Sequence, residues 1–147
     1  AGAALYGVNT TPYRENIMSP VICLKAPIIQ LFELGSGCYV GYGASYRTVV
    51  SKRVATVAIG YNDGFPRILS TRGKLWFEHY EAPIIGRVSM DMVTCDVSAI
   101  PIALLKEGGY LTAINDFYTV DEFARDADTI GYEVLCGLGG RLKKVYL

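Results

Sequence analysis

The sequence predicts a mainly β domain with one or two short helices confined to its C-terminal end. Three observations carry this. From Val21 onward the chain is a succession of short apolar runs rich in valine, isoleucine and tyrosine, each stopped by glycine or a polar turn. A helix-start signature stands out at Thr119-Val120-Asp121-Glu122, where the threonine can cap a backbone N–H and the glutamate can reach back. Of the 147 residues, 51% are hydrophobic and 19% charged, which fills a core and excludes a disordered chain.

Residues 1–19 contain Gly2, Gly7 and Pro12, with Asn9-Thr10-Thr11-Pro12 as a turn cluster, and read as an irregular connector. The β domain then runs over residues 20–147. Val21–Phe32 reads as a long strand, in which Pro27 implies an edge position or a bulge because proline cannot donate to the ladder. Gly35-Ser36-Gly37 is a turn, Cys38–Val50 carries Gly41-Tyr42-Gly43, and Arg53–Ile59 is a near-continuous apolar strand. Arg72-Gly73-Lys74 predicts a tight turn joining Ile68–Ser70 to Leu75–Phe77. Further strands are expected at Ala82–Val88, Met92–Val97 and Tyr110–Asn115. Behind the capping box, Val120, Phe123, Ala124 and Ala127 share one helical face. A second short helix over Ile130–Leu135 should stop at the glycines Gly137, Gly139 and Gly140. That cluster follows a helix instead of opening one, so it reads as a C-cap and not a phosphate loop. Arg141–Leu147 alternates weakly and predicts a last strand.

Composition excludes several function classes. Fourteen basic and fourteen acidic residues give no net charge, whereas a nucleic-acid binder needs a basic excess. The single histidine, His79, removes zinc sites built on two imidazoles and any histidine-pair chemistry, and its polar surroundings read as a solvated turn. Cys23, Cys38, Cys95 and Cys136 form no C-x-x-C pair and read as buried, reduced thiols of a cytoplasmic protein. Apolar stretches such as Ala26–Leu31 are far below the ~20 residues of a membrane-spanning helix. Nothing at the N-terminus resembles a signal peptide, and a chain starting at Ala1 reads as a piece of something longer.

Three stretches are richer in reactive and turn-forming residues than a plain β core requires. Val40-Gly41-Tyr42-Gly43-Ala44-Ser45-Tyr46 sets a tyrosine between two glycines, where nothing adjacent shields the ring. Ile59-Gly60-Tyr61-Asn62-Asp63-Gly64-Phe65-Pro66-Arg67 flanks a strong turn signal with a tyrosine and an arginine. Gly86-Arg87-Val88-Ser89-Met90-Asp91 interrupts a strand with polar residues. Taken singly, these are also a surface tyrosine, a hairpin loop and a broken strand.

Together, in this order, they resemble the C-terminal domain of alanine racemase. Gly2-Ala3-Ala4-Leu5-Tyr6-Gly7 and Ile130-Gly131-Tyr132-Glu133-Val134 complete the resemblance, which extends over almost the whole chain. It implies a subunit with an N-terminal eight-stranded β/α barrel that holds pyridoxal 5'-phosphate on a lysine, followed by this β domain. None of Lys25, Lys52, Lys74, Lys106, Lys143 and Lys144 matches the context of that lysine, so the cofactor's attachment is expected outside this chain, and the chain alone should be inactive.

The resemblance also implies roles for individual residues. Racemising alanine means removing the α-proton on one face and returning a proton on the other, which needs two acid/base groups. The barrel lysine would serve one face and Tyr42 the other. A phenol ordinarily titrates near 10, so a neighbouring cation must favour phenolate; the family supplies it from the barrel. The implied active site is composite across a homodimer. Tyr42 and Met90 would project into the partner's barrel, with the Met90 amide holding the substrate carboxylate. Tyr132, Gly2 and Ala3 match positions that bind the cofactor phosphate. Tyr61, Arg67, Arg87, Asp91 and Ile130 match residues of the corridor through which substrate enters. Asn62, where the family often has alanine, and Pro66 depart from the pattern. Two alternatives differ in substrate or class: a racemase of broad amino-acid specificity, or a β module serving only binding or dimerisation. Retention of Tyr42, Met90 and Tyr132 together favours the enzyme, with D-alanine supply for cell-wall precursors as its role.

Overall fold

A computed structural model describes residues 2–11 and 13–146. Eight strands precede two short helices: β1 (Leu24–Leu34), β2 (Tyr39–Val40), β3 (Tyr46–Arg47), β4 (Lys52–Val57), β5 (Lys74–Phe77), β6 (Tyr80–Pro83), β7 (Val93–Asp96), β8 (Tyr110–Ile114), α1 (Val120–Asp126) and α2 (Gly131–Gly137). The mainly β expectation holds. Six strands form an antiparallel sheet in the order β6-β5-β8-β1-β4-β7, while β2 and β3 form a separate ribbon. The chain leaving β6 bridges to β7 at Ile84 and Cys95, and the Ile85 N–H donates to the Thr94 carbonyl at 2.9 Å. The sheet therefore nearly closes on itself, and alternation directs Ala26, Ile28, Val93, Cys95, Leu111 and Ala113 into its core.

Pro27 lies in an interior strand, not at an edge. It is tolerated because β1 changes partner there: Leu24–Pro27 pair with β8, and Ile28 and Gln30–Leu34 pair with β4. Register shifts flank it on both sides, so the expected irregularity is present. The hairpin expected around Arg72-Gly73-Lys74 is corrected. Arg67–Leu69 is a turn of 3-10 helix, and β5 pairs instead with β6 through Glu78-His79, with Glu78 at φ 51. The connection before β5 is spent on closing a turn, since the Gly73 N–H donates to the Leu69 carbonyl at 2.8 Å. The predicted last strand is also absent over residues 141–146, and Leu147 lies outside the described residues. The connector opens with a 3-10 helix, Gly2–Tyr6, and its Val8 is buried in the core. Asn9 closes the Asn9–Thr11 turn through its side chain at 2.9 Å; Pro12 of that cluster lies outside the described residues.

The capping box is present as predicted: Thr119 accepts from the Glu122 N–H, and Glu122 accepts from the Thr119 N–H at 2.8 Å. Phe123 of α1 meets Phe65 edge-on at 5.4 Å, both rings buried. That contact anchors the loop after β4 to the helical layer, and burying such a ring stabilises by roughly 1.5–3 kcal/mol. α2 ends at Gly137, as the glycine cluster suggested. The cysteine expectation is met only in part. All four thiols are free and Cys95 is buried, with burial pushing its thiol far up, but Cys23 and Cys136 are exposed.

Lys52 of β4 and Asp96 of β7 make a part-buried ion pair. Burial alone would raise Asp96, yet hydrogen bonds from Lys52 and Ser98 outweigh it and hold the carboxyl low, while Asp96 raises Lys52. A depressed carboxyl stabilises the fold above its unfolded value and loses that contribution as pH falls through its native value. The raised lysine loses its share only as pH climbs past 10.5. Asp96→Asn is therefore expected to cost about 1 kcal/mol at neutral pH, allowing for partial solvent screening. In urea titrations the difference from wild type should shrink below about pH 4. A difference that persists at low pH would assign the effect to packing.

Candidate active site

The β2–β3 ribbon displays Tyr42 because the backbone around it takes the conformation that glycine permits. Gly41 stands at φ 77, Gly43 at φ 69 and Ala44 at φ 48. A Cβ at Gly41 would lie 2.8 Å from the Arg87 nitrogen, so the ribbon packs directly on the Gly86-Arg87 backbone. Tyr42 is left 72% exposed.

Two further loops converge there. Thr71 donates to the Gly86 carbonyl at 3.1 Å, and the Ser70 hydroxyl accepts from the Val88 N–H at 3.0 Å while donating to the Arg67 carbonyl at 2.6 Å. These bonds tie the Arg67 turn to the Arg87 segment. The Tyr61 and Asn62 amides donate to the Ser89 and Met90 carbonyls, each at 3.0 Å. Gly60 permits that approach, since a Cβ there would sit 2.2 Å from the Met90 oxygen. Ser89 closes its own loop on Met92 through main-chain and side-chain bonds, presenting Met90 and Asp91 at the tip.

Four predicted residues thus share one cavity of about 310 Å³: Tyr42, Tyr61, Arg67 and Arg87, with Val88 and Ser89. An adjoining groove runs between Arg67 and Arg87 past Ser70. Met90 is exposed beside this cavity, and its amide N–H has no hydrogen-bond acceptor among the described residues. Ile130 and Tyr132 lie elsewhere, in a second cavity of about 680 Å³ between the N-terminal segment and the helices. Gly2 and Ala3 open the first 3-10 helix, where amides have no intrahelical acceptor. The structure therefore separates Tyr42, Tyr61, Arg67 and Arg87 from Ile130 and Tyr132, which line different cavities of one chain.

Asp91 faces a residue that the sequence did not single out. Arg141 Nη1 donates to Asp91 Oδ1 at 2.5 Å, and its Nε lies 3.3 Å from Oδ1 of the buried Asp63. The bond to Asp91 and the charge of Asp63 raise the guanidinium further above its ordinary value. Among the described residues no lysine lines any of these cavities. Lys52 is committed to Asp96, and Lys74 lies over the Trp76 and Tyr118 rings.

The model of the alanine racemase C-terminal domain matches residues 21–146. The chain belongs to the alanine racemase family. It is 43% identical over 146 residues to the catabolic alanine racemase of Agrobacterium fabrum, covering 99% of this chain and 38% of that protein. It is 41% identical to the alanine racemase of Methylobacterium nodulans, covering 99% of this chain and 40% of that protein. Among solved structures, alanine racemase from Bartonella henselae with covalently bound pyridoxal phosphate superposes with a TM-score of 0.91 at 33% identity, over 99% of this chain and 40% of that one. The biosynthetic alanine racemase of Pseudomonas aeruginosa gives 0.89 at 33% identity, over 99% and 41%. The chain thus spans about two fifths of the length of these alanine racemases. Among the described residues no helix is long and apolar enough to cross a membrane, and no cluster of potential metal ligands occurs.

Proposed function

We propose that this chain is the C-terminal part of a pyridoxal-phosphate-dependent alanine racemase that interconverts L- and D-alanine by two-base proton transfer. The observation that carries the proposal is the convergence of exposed Tyr42 with Tyr61, Arg67 and Arg87 on one cavity, in a chain of this family. Tyr42 removes the α-proton of L-alanine at its phenolic oxygen, or returns one there in the opposite direction. The Met90 amide holds the substrate carboxylate, which needs only a main-chain donor and a side chain that fits. Arg67 and Arg87 draw the substrate carboxylate along the corridor formed with Tyr61 and Asp91, to which the other subunit brings Ile130.

The donors of this chain suit the phosphate end of the cofactor: the leading amides of the first 3-10 helix at Gly2 and Ala3, and the Tyr132 hydroxyl. When bound, pyridoxal phosphate supplies the electron sink that makes the α-proton removable. Its covalent lysine lies in a barrel domain outside this chain. Tyr42 and Tyr132 line separate cavities of one chain, which supports a homodimer whose sites take Tyr42 and Met90 from one subunit and Tyr132 from the other. Enantiomers have equal free energies, so one site serves both D-alanine supply for cell-wall precursors and the catabolic direction named for the Agrobacterium relative. The proposal places the protein in the cytoplasm.

The 147-residue chain alone is expected neither to racemise alanine nor to retain pyridoxal phosphate through exhaustive dialysis. The full-length protein should do both. Stoichiometric retention and turnover by the chain alone would overturn the division of labour, and a full-length protein without alanine turnover would overturn the function.

A further inference from the structure

We propose that Arg141 is a positioning residue that holds the Met90 and Tyr61 loops in one geometry and neutralises the carboxylate beside the Met90 amide. This rests on the function proposed above, because its purpose is to shape the mouth that receives the substrate carboxylate. The two loops share two main-chain bonds, from Tyr61 to Ser89 and from Asn62 to Met90. Each also carries an aspartate. Asp63 is 5% exposed, and its Oδ2 accepts from the Gly60 N–H at 3.0 Å, leaving Oδ1 to be matched. Asp91 stands at the other tip, next to Met90.

One guanidinium meets both acids, through Nε to Asp63 at 3.3 Å and Nη1 to Asp91 at 2.5 Å. A planar fork can satisfy two carboxylates at a fixed spacing, which an ammonium cannot do as well. Arg141 is itself held in place. The Gly139 N–H donates to the Asp63 carbonyl at 3.1 Å, and the Leu142 N–H to the Gly139 carbonyl at 3.3 Å. The segment after α2 is therefore docked on the Tyr61 loop, and its arginine reaches across to the Met90 loop.

Two consequences follow for a carboxylate substrate. Without Arg141 the Met90 loop keeps its two main-chain bonds but loses its lateral tie, so the amide loses its direction. Asp91 would also stand uncompensated beside a site for an anion, and like charge repels it. Both effects weaken substrate binding and leave the proton-transferring phenol untouched.

The test uses the full-length enzyme and L-alanine. Arg141→Gln should raise KM about tenfold, the scale of one lost charge-assisted hydrogen bond, with kcat changed by less than about threefold. Arg141→Lys should fall between, keeping charge without the fork. Arg141→Gln combined with Asp91→Asn should recover part of the KM defect, because the uncompensated carboxylate is gone while the lateral tie is still missing. Amide hydrogen exchange should quicken in residues 60–64 and 88–92 of Arg141→Gln and stay unchanged in β1, β4 and β8. Unchanged exchange in the two loops, or a KM defect that the double variant does not relieve, would overturn the proposal. If the wild-type protein does not racemise alanine, the functional proposal fails, and the exchange measurement still decides whether Arg141 ties the loops.

Discussion

Tyr42→Phe in the full-length protein is expected to cut racemisation by about 10²–10⁴-fold, the usual value of one positioned acid/base group, and to leave cofactor binding intact. The substitution removes the hydroxyl and keeps the ring. Tyr42 is exposed and lines a cavity formed by loops that hold one another through Ser70, Ser89 and the Gly41–Arg87 contact, so the fold does not depend on its hydroxyl. The defect should be lopsided. Exchange of the α-proton of L-alanine in deuterated buffer, followed by proton NMR, should fall more than that of D-alanine, because under the proposed two-base scheme the barrel lysine would still serve the D-face. Equal losses on both enantiomers would instead mark Tyr42 as a structural wall, and a wild-type rate would remove it from the chemistry.

What could be read in the sequence was local. The capping box at Thr119–Glu122 and the strand at Tyr110–Ile114 announce themselves within a few residues, and the structure keeps both. The stretches carrying Tyr42, Tyr61, Arg67 and Arg87 stood out through their glycine turns, but that they belong together followed only from the family resemblance, and the structure brings them onto one cavity. Failures came where a distant partner decided the outcome. Gly73 looked like a hairpin glycine, but its N–H closes the turn begun at Leu69, while the hairpin bends at Glu78, which takes φ 51 without being glycine. Pro27 argued for an edge or a bulge; the irregularity is there, but the exchange of partners from β8 to β4 that makes an interior position acceptable has no local signature. Arg141 looked like the start of a strand. Its pairing with Asp63 and Asp91 reaches back 50 residues or more, and no spacing rule in the sequence points to it.

Mixing two inactive variants is expected to restore activity. The motive is the separation of Tyr42 and Tyr132 into different cavities of one chain, which a composite site across a dimer would resolve. One full-length variant lacks the barrel lysine, and the other carries Tyr42→Phe. Each homodimer then has two broken sites. In a mixed dimer, one site combines both defects. The other joins the intact lysine of the second subunit to the intact Tyr42 of the first, and should be whole. Random pairing makes half of the dimers mixed, so roughly a quarter of all sites should work, a ceiling set by two-fold association. Activity should appear when the variants are co-expressed or unfolded and refolded together, and stay absent when preformed homodimers are mixed without subunit exchange. Different affinity tags on the two chains isolate the mixed dimer, whose activity should approach half that of wild type. A purified mixed dimer with no activity would mean that Tyr42 serves its own subunit, and the two cavities would then have to meet within one full-length chain.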